Sequence, residues 1–276
     1  MHKITRKAFQ IGENCKLTLI AGPCVIESEE ASLFAAKEIK RITQKYPVSF
    51  IFKSSFDKAN RSSIKSFRGP GLDEGLKILE KVQKEFDLPV VTDVHTPEQA
   101  KIAGNILEMI QIPAFLCRQT DLLVAAAGTP AVINVKKGQF MAPWDMSNVV
   151  EKITSQNNFD ILLTDRGTSF GYNNLVSDFR SILIMQKLGY PVCFDATHSV
   201  QMPGALKEGS GGKVEFVPIL AKAAIAAGAN ALFVEAHPNP SQAKSDKMTS
   251  ISFEDLDKLL SEIIPIYEVI REKQPV

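Results

Sequence analysis

The stretch Val48-Ser49-Phe50-Ile51-Phe52-Lys53-Ser54-Ser55 and its continuation, Phe56-Asp57-Lys58-Ala59-Asn60-Arg61-Ser62-Ser63, changes character in one step. Behind Pro47, the β-branched and aromatic run at Val48, Phe50, Ile51 and Phe52 reads as an interior parallel strand. At Lys53 polarity takes over, with Lys53, Lys58 and Arg61 interleaved among Ser54, Ser55, Asn60, Ser62 and Ser63. Cations and short donors beyond the carboxyl end of a strand suit a phosphorylated substrate, because charge-assisted hydrogen bonds to phosphate are strong and Arg offers a planar fork. Taken alone, the same loop also fits a solvated basic turn, so its neighbours decide.

Working outward, the strand-then-helix pattern repeats along the chain. Leu17 to Ala21 is an apolar strand ended by Gly22-Pro23-Cys24, and Glu27 to Lys45 carries helical spacing through Leu33, Ala36, Ile39 and Ile42. The strand at 48–53 is followed by a helix at 73–86, the strand at 89–94 by a helix from Pro97, and the strand at 107–112 by a helix at 119–127. The same reading gives strand 131–135 with helix 145–155, strand 160–164 with helix 175–187, strand 191–195 with helix 214–227, and strand 231–235 with helix 253–272. Eight such units force parallel strands covered by helices, and they close a (β/α)8 TIM barrel. An open doubly wound sheet is the competing fold. It is disfavoured because no Gly-x-Gly-x-x-Gly follows the first strand. Lys3 to Ile11 reads as a short N-terminal hairpin closing the barrel floor, with Gly12-Glu13-Asn14 as a turn. Glycines at 204, 209, 211 and 212 make Val200 to Lys213 a long flexible insertion after strand seven, a candidate lid. No linker breaks the pattern, so residues 1–276 read as one catalytic domain.

Composition narrows the function classes. At 276 residues and 45% hydrophobic, the chain can bury a full core. Lys and Arg number 32 against 31 Asp and Glu, which leaves no global field to hold nucleic acid or an acidic membrane. No apolar run approaches the roughly 20 residues of a membrane span, and the opening Met-His-Lys-Ile-Thr-Arg-Lys lacks the apolar core of a signal peptide, so a cytoplasmic location is expected. Cys15, Cys24, Cys117 and Cys193 form no Cys-x-x-Cys pair, which argues against a disulfide framework or a zinc knuckle.

In a TIM barrel the residues just past each strand share the catalytic face. Here they are Cys24, Lys53 and Ser55, Asp93 and His95, Gln111, Lys136, Arg166, His198, and Glu235 with His237, all polar or reactive. Lys53, Lys58, Lys136 and Arg166 form one group, whose mutual repulsion calls for a ligand of several negative charges. Surface ion pairing is the alternative for each, and it is the expected role of Lys137, which points the other way from Lys136. A Schiff base at Lys136 is a further alternative. Cys24, His198, Glu235 and Asp246 form the second group, because strand eight neighbours both seven and one in a closed barrel. Thiolate, imidazole and carboxylate suit a divalent transition metal, zinc, iron or manganese, while a buried thiol and a hydrogen-bonded histidine account for the same residues singly. His237 is a substitute ligand or a partner of the ligands.

Several longer segments carry a resemblance: Ile-Ala-Gly-Pro-Cys-Val-Ile-Glu-Ser (20–28), Lys-Ser-Ser-Phe-Asp-Lys-Ala-Asn-Arg-Ser-Ser (53–63), Thr-Asp-Val-His (92–95), Gln-Ile-Pro-Ala-Phe-Leu-Cys-Arg-Gln-Thr-Asp (111–121), Arg-Gly-Thr-Ser-Phe-Gly-Tyr-Asn-Asn-Leu (166–175), Phe-Asp-Ala-Thr-His-Ser-Val-Gln (194–201) and Glu-Ala-His-Pro (235–238). Together they resemble the 3-deoxy-D-manno-octulosonate 8-phosphate synthase family over nearly the whole chain. The resemblance implies a homotetrameric (β/α)8 transferase that condenses phosphoenolpyruvate with D-arabinose 5-phosphate and water. The products are the eight-carbon sugar acid phosphate used in lipopolysaccharide biosynthesis and inorganic phosphate.

Carried over by position, the resemblance assigns phosphoenolpyruvate to Lys53, Ser55, Lys58, Gln111, Lys136 and Arg166, and the pentose phosphate to Asn60, Arg61, Ser62 and Asp93. Arg118 is implied to reach a neighbouring subunit's site. Lys58, His198 and Asp246 are the implied catalytic residues. Relatives making the seven-carbon aromatic precursor carry Lys-Pro-Arg where this chain has Lys-Ala-Asn-Arg at 58–61. Cys24 stands where the metal-independent branch has Asn, which implies the metal-dependent branch with Cys24, His198, Glu235 and Asp246 as ligands. Three positions depart from the family pattern: Asp165 replaces the usual Glu, Val214 a common charge, and Lys247 a small residue beside a ligand. The rivals are the seven-carbon synthase and a non-catalytic phospho-sugar sensor.

Overall fold

The computed structural model describes residues 1–206 and 209–272. The chain opens with β1 (Ile4–Thr5) and β2 (Gln10–Ile11), paired antiparallel. The expected hairpin is therefore present, but its turn lies between these strands, where Arg6 N donates to Phe9 O. Gly12-Glu13-Asn14 is a turn as expected, with Asn14 in left-handed backbone, but it follows the hairpin and leads into the first barrel strand.

That barrel alternates as its sequence pattern requires. β3 (Leu17–Gly22) is followed by α1 (Glu29–Thr43), β4 (Val48–Lys53) by α2 (Leu72–Phe86), and β5 (Val90–Asp93) by α3 (Pro97–Gly104). β6 (Met109–Ile112), α4 (Thr120–Ala127), β7 (Val132–Lys136), α5 (Met146–Thr154) and β8 (Ile161–Asp165) continue it. Helix starts follow local chemistry. Ser28 accepts from Ala31 N, and Thr96 accepts from Gln99 N with Pro97 in the first turn.

Two hairpins interrupt the second half. β9 (Thr168–Ser169) pairs antiparallel with β10 (Leu175–Val176), so the helix expected at 175–187 is only α6 (Arg180–Gln186). Gly171 and Asn173 adopt left-handed backbone between these strands, which ties the segment into a turn before helix can start. After β11 (Val192–Asp195), β12 (Gln201–Leu206) pairs with β13 (Gly209–Gly212), so the expected loop after strand seven is a hairpin; residues 207 and 208 of that segment lie outside the described residues. A 3-10 turn at Val214–Phe216 shortens the next helix to α7 (Val217–Ala226), and β14 (Ala231–Glu235) and α8 (Phe253–Glu272) end the series.

β3 to β8, β11 and β14 form one closed barrel in which β14 lies between β11 and β3. All its pairings are parallel. Its floor is filled by Ile20, Ile51, Val91, Met109, Val132, Leu162, Cys193, Ala231 and Phe233, and the hairpin adds Ile4, Phe9 and Ile11 to the same buried cluster. The hairpin thus plugs the amino-terminal end. The buried lysines and carboxylates of the strand ends gather at the opposite mouth. Among the described residues, no helix is long and apolar enough to cross a membrane.

Candidate active site

A cavity of about 460 Å³ opens at the carboxyl ends of the strands. Its walls carry Lys53, Lys58, Asn60, Arg61, Ser62, Asp93, Gln111, Lys136, Arg166, His198 and Asp246. Ser55, Cys24 and Glu235 are buried at the same end, within hydrogen-bond or ion-pair reach of these residues. Arg118 is exposed and absent from this wall.

Local backbone explains how the first two strand ends meet. A Cβ at Gly22 would stand 2.1 Å from Lys53 O, so only glycine lets β3 and β4 approach there. That approach sets Cys24 against Lys53, whose Nζ donates to Cys24 O at 3.0 Å and to Glu235 Oε1 at 3.1 Å. The four cations do not stand unpaired around an empty centre, as their sequence grouping suggested. Lys53 pairs with Glu235, Lys58 with Asp93 at 3.2 Å, and Lys136 with Asp195 at 2.5 Å. Protein carboxylates offset much of the repulsion.

Asp93 is the hub of the β4, β5 and β6 ends. It accepts from Ser55 Oγ, Lys58 Nζ and Gln111 Nε2, while Asn134 Nδ2 donates to Gln111 Oε1 at 2.9 Å. Burial opposes ionisation of Asp93, but Lys58, Lys53 and Lys136 prevail and hold its carboxyl well below the usual range. The same environment acts in reverse on Lys58. Burial alone would lower it, yet Asp93 at 3.2 Å, with Glu235 and Asp246 beyond it, holds the ammonium above the lysine range.

Arg166 differs from the three lysines. Its NH2 donates to Gln201 Oε1 at 2.5 Å, but NH1 is buried with no partner. Burial lowers the guanidinium from its ordinary value. A buried unpartnered donor on a cation costs free energy unless an anion meets it.

Beside these cations, Cys24 Sγ lies 2.9 Å from Asp246 Oδ2 and 2.8 Å from Ser245 Oγ. One ligand atom from each of Cys24, Glu235 and Asp246 lies within 4.8 Å of the other two. His198 Nε2 stands 3.4 Å from Glu235 Oε1 and 3.9 Å from Asp246 Oδ2. Glu235 Oε2 is buried without a partner. Burial and then the Asp246 and Glu235 carboxylates push the Cys24 thiol well above its usual range, a crowding of negative groups that a cation would relieve. The donor set therefore fits a divalent transition ion. Asp246 itself sits in left-handed backbone (φ 47°), pinned by Thr249 N and Ser250 N donating to its carbonyl. Lys247 is exposed next to it. His237 turns elsewhere, with Nε2 3.6 Å from Glu27 Oε1 and Nδ1 against Asn239.

Sequence reasoning missed the residues that join the two groups. Asp195, fully buried, receives Lys136 and also has His198 Nδ1 2.7 Å from its Oδ2. Gln201 accepts from Arg166 and donates to Asp246 Oδ1 at 2.9 Å. Both lie in the Phe-Asp-Ala-Thr-His-Ser-Val-Gln segment, and an acid three residues before a candidate ligand histidine was the available signal. Lys137 was also misjudged. It is 1% exposed and lies 3.3 Å from Asp165, a buried pair where a surface one was expected.

Residues 1–270 match the model of the DAHP synthetase I family. The chain is 62% identical over 273 residues, 99% of each chain, to a 2-dehydro-3-deoxyphosphooctonate aldolase of Protochlamydia amoebophila. It is 55% identical over 264 residues to the protein of that name from a Synechococcus strain, covering 96% of this chain and 93% of the relative. With the Geobacter sulfurreducens protein of the same name it shares 52% over 269 residues, 98% of this chain and 99% of the relative.

Proposed function

The chain belongs to the DAHP synthetase I family, and from that premise we infer that it is a 2-dehydro-3-deoxyphosphooctonate aldolase, the 3-deoxy-8-phosphooctulonate synthase reaction. It condenses phosphoenolpyruvate with D-arabinose 5-phosphate and water, yielding the eight-carbon sugar acid phosphate and inorganic phosphate. The observation that carries this reading is identity of 62% across 99% of both chains with a relative of that name. We assign the product to lipopolysaccharide biosynthesis and the whole of residues 1–276 to one catalytic domain.

The cavity supports a division of labour. Lys53, Lys136 and Arg166 neutralise the donor's carboxylate and phosphate, and the unpartnered Arg166 NH1 gives that anion a preformed contact. Ser55 and Gln111 hold the donor, while Asn60, Arg61 and Ser62 take the acceptor's phosphate at the rim and Asp93, which Ser55 and Gln111 orient, takes the acceptor. Lys58, whose Nζ lies against Ser55 Oγ and Asp93, neutralises the donor and is assigned the passing of a proton. The donor's methylene carbon bonds to the aldehyde carbon. Water adds to the carbon bearing phosphate, whose carbon–oxygen bond breaks to release phosphate with its oxygen.

We place a divalent zinc, iron or manganese ion with Cys24, His198, Glu235 and Asp246, and so read the chain as a member of the metal-dependent branch. Bound there, the ion would supply electrostatic polarisation of the acceptor's aldehyde or neighbouring hydroxyl. His198 and Asp246 orient that end of the cavity. Arg118, exposed on its own protomer, completes a neighbour's acceptor site in a homotetramer.

The test is phosphate release from phosphoenolpyruvate with arabinose 5-phosphate or erythrose 4-phosphate, before and after chelation and restoration of manganese or zinc. Turnover with the pentose phosphate is expected, with loss and recovery on metal exchange. Preference for the tetrose phosphate would move the chain to the seven-carbon synthases. Run in heavy-oxygen water, the label is expected in the sugar acid, and label in phosphate would overturn attack at carbon.

A further inference from the structure

We propose that Asp195 is a positioning residue that couples occupancy of the donor anion site to the divalent-cation affinity of the Cys24, His198, Glu235 and Asp246 cluster, each strengthening the other. The proposal rests on the reading of Lys136 as a donor ligand and of His198 as a metal ligand. Asp195 is 0% exposed at the end of β11, so no solvent screens its charge. Its Oδ2 serves two masters: Lys136 Nζ at 2.5 Å and His198 Nδ1 at 2.7 Å. Its Oδ1 accepts from His198 N at 2.9 Å and from Thr197 Oγ1 at 3.3 Å, which fixes the carboxylate plane. Thr197 Oγ1 in turn accepts from Glu235 N at 3.1 Å, tying the arrangement to the next strand end.

One oxygen shared by a cation and an imidazole makes the two sites competitors for its charge. An anion that draws on Lys136 releases part of the Asp195 charge to the His198 Nδ1 hydrogen bond. That makes Nε2, on the far side of the ring and 3.4 Å from Glu235 Oε1, a stronger electron donor. A cation at Nε2 acts in reverse: it strengthens the hold of Nδ1–H on Asp195 and loosens Lys136 for the anion. Linkage makes the two effects equal in magnitude. Lys53 adds a parallel contact, since its Nζ occupies Glu235 Oε1 at 3.1 Å until an anion draws it off.

Direct attraction between bound anion and bound cation would also produce coupling, so the experiment must isolate Asp195. Mn²⁺ affinity of the metal-stripped, full-length protein is measured by competition with a chromophoric chelator, with and without saturating phosphoenolpyruvate. Phosphoenolpyruvate affinity is measured by calorimetry with and without Mn²⁺. In the unmodified protein each ligand is expected to tighten the other by about tenfold, within the usual range of coupling between sites. In Asp195→Asn the factor is expected to fall below about threefold in both directions. Asp195→Glu, which keeps the charge but displaces the oxygen, is expected to show the same fall and serves if the asparagine variant does not fold. A folded variant that keeps the full factor overturns the role of Asp195, leaving through-space attraction. A factor near one in the unmodified protein overturns the coupling alone. Failure of phosphoenolpyruvate to bind in any condition overturns the donor-site reading itself, and the coupling with it.

Discussion

Lys137 Nζ lies 3.3 Å from Asp165 Oδ1 with the two side chains 1% and 3% exposed, close enough for an ion pair though not aligned as a hydrogen bond. Lys137 also donates to Thr168 Oγ1 at 3.1 Å and to Met141 O at 3.3 Å. The pair sits behind the cavity: Lys136 and Arg166, on the cavity side, are the immediate chain neighbours of its two members. The strand ends that present those cations are thus cross-linked from the outside. Substituting one member leaves a buried charge uncompensated, so Lys137→Met is expected to cost about 3–5 kcal/mol of stability. The double variant Lys137→Met/Asp165→Leu is expected to recover much of that loss. Denaturant unfolding of the three proteins checks this, and equal losses in single and double variants would count against the pairing.

Arg166 offers a planar fork with one arm engaged by Gln201 and one arm free. Lysine keeps the charge but cannot make both contacts. Arg166→Lys is expected to raise the KM for phosphoenolpyruvate by about tenfold to a hundredfold, the worth of a charge-assisted hydrogen bond, with little change for the pentose phosphate. Steady-state kinetics with each substrate varied in turn decides it. Equal effects on both substrates would point to general disruption of the cavity.

Asp93 gives a pH prediction. Its folded-state pKa is depressed because Lys58, Lys53 and Lys136 outweigh the burial that opposes them. A depressed carboxyl contributes stability that is fully present above the unfolded value, about pH 4, and is lost as pH falls through the folded value. The unmodified protein should therefore exceed Asp93→Asn in Tm by a constant margin from pH 8 to about pH 5, with the margin shrinking below about pH 4. A margin that persists unchanged into stronger acid would assign it to hydrogen-bond geometry alone.

Cys24 is held as a neutral thiol by burial and by the Asp246 and Glu235 carboxylates. A metal takes the thiolate, so binding must expel that proton. Calorimetric titration of stripped protein with Zn²⁺ at pH 7.5, repeated in buffers of different ionisation enthalpy, is expected to show release of about one proton more for the unmodified protein than for Cys24→Ser. Identical proton release from both would remove Cys24 from the ligand set.

The candidate site was legible in part because barrel topology turns strand ends into a list. Once eight strand–helix units are recognised, Cys24, Lys53, Asp93, Gln111, Lys136, Arg166, His198 and Glu235 fall at one mouth by position, and the structure brings them there. Sorting them into a cation group and a metal group followed residue chemistry, and there the reading was too simple. In the folded chain the groups interlock through Lys53 with Glu235 and through Asp195 between Lys136 and His198.

What the amino-acid order by itself determined is local: apolar runs of strand length, helical periodicity between them, and polarity beginning where each strand stops. These depend on neighbours a few residues apart, so they survive reading in one dimension. Only the tertiary structure decided that Leu175–Val176 and Gln201–Leu206 form hairpins rather than helix or open loop, that Lys137 is buried, and that one oxygen of Asp195 is shared. The hairpins rest on short-range pairing that overrides the helical spacing, whereas the burial of Lys137 and the shared Asp195 oxygen depend on which groups barrel closure sets face to face. A buried charge takes its partner from another strand end, adjacent or across one strand, at a distance along the chain that no local pattern encodes.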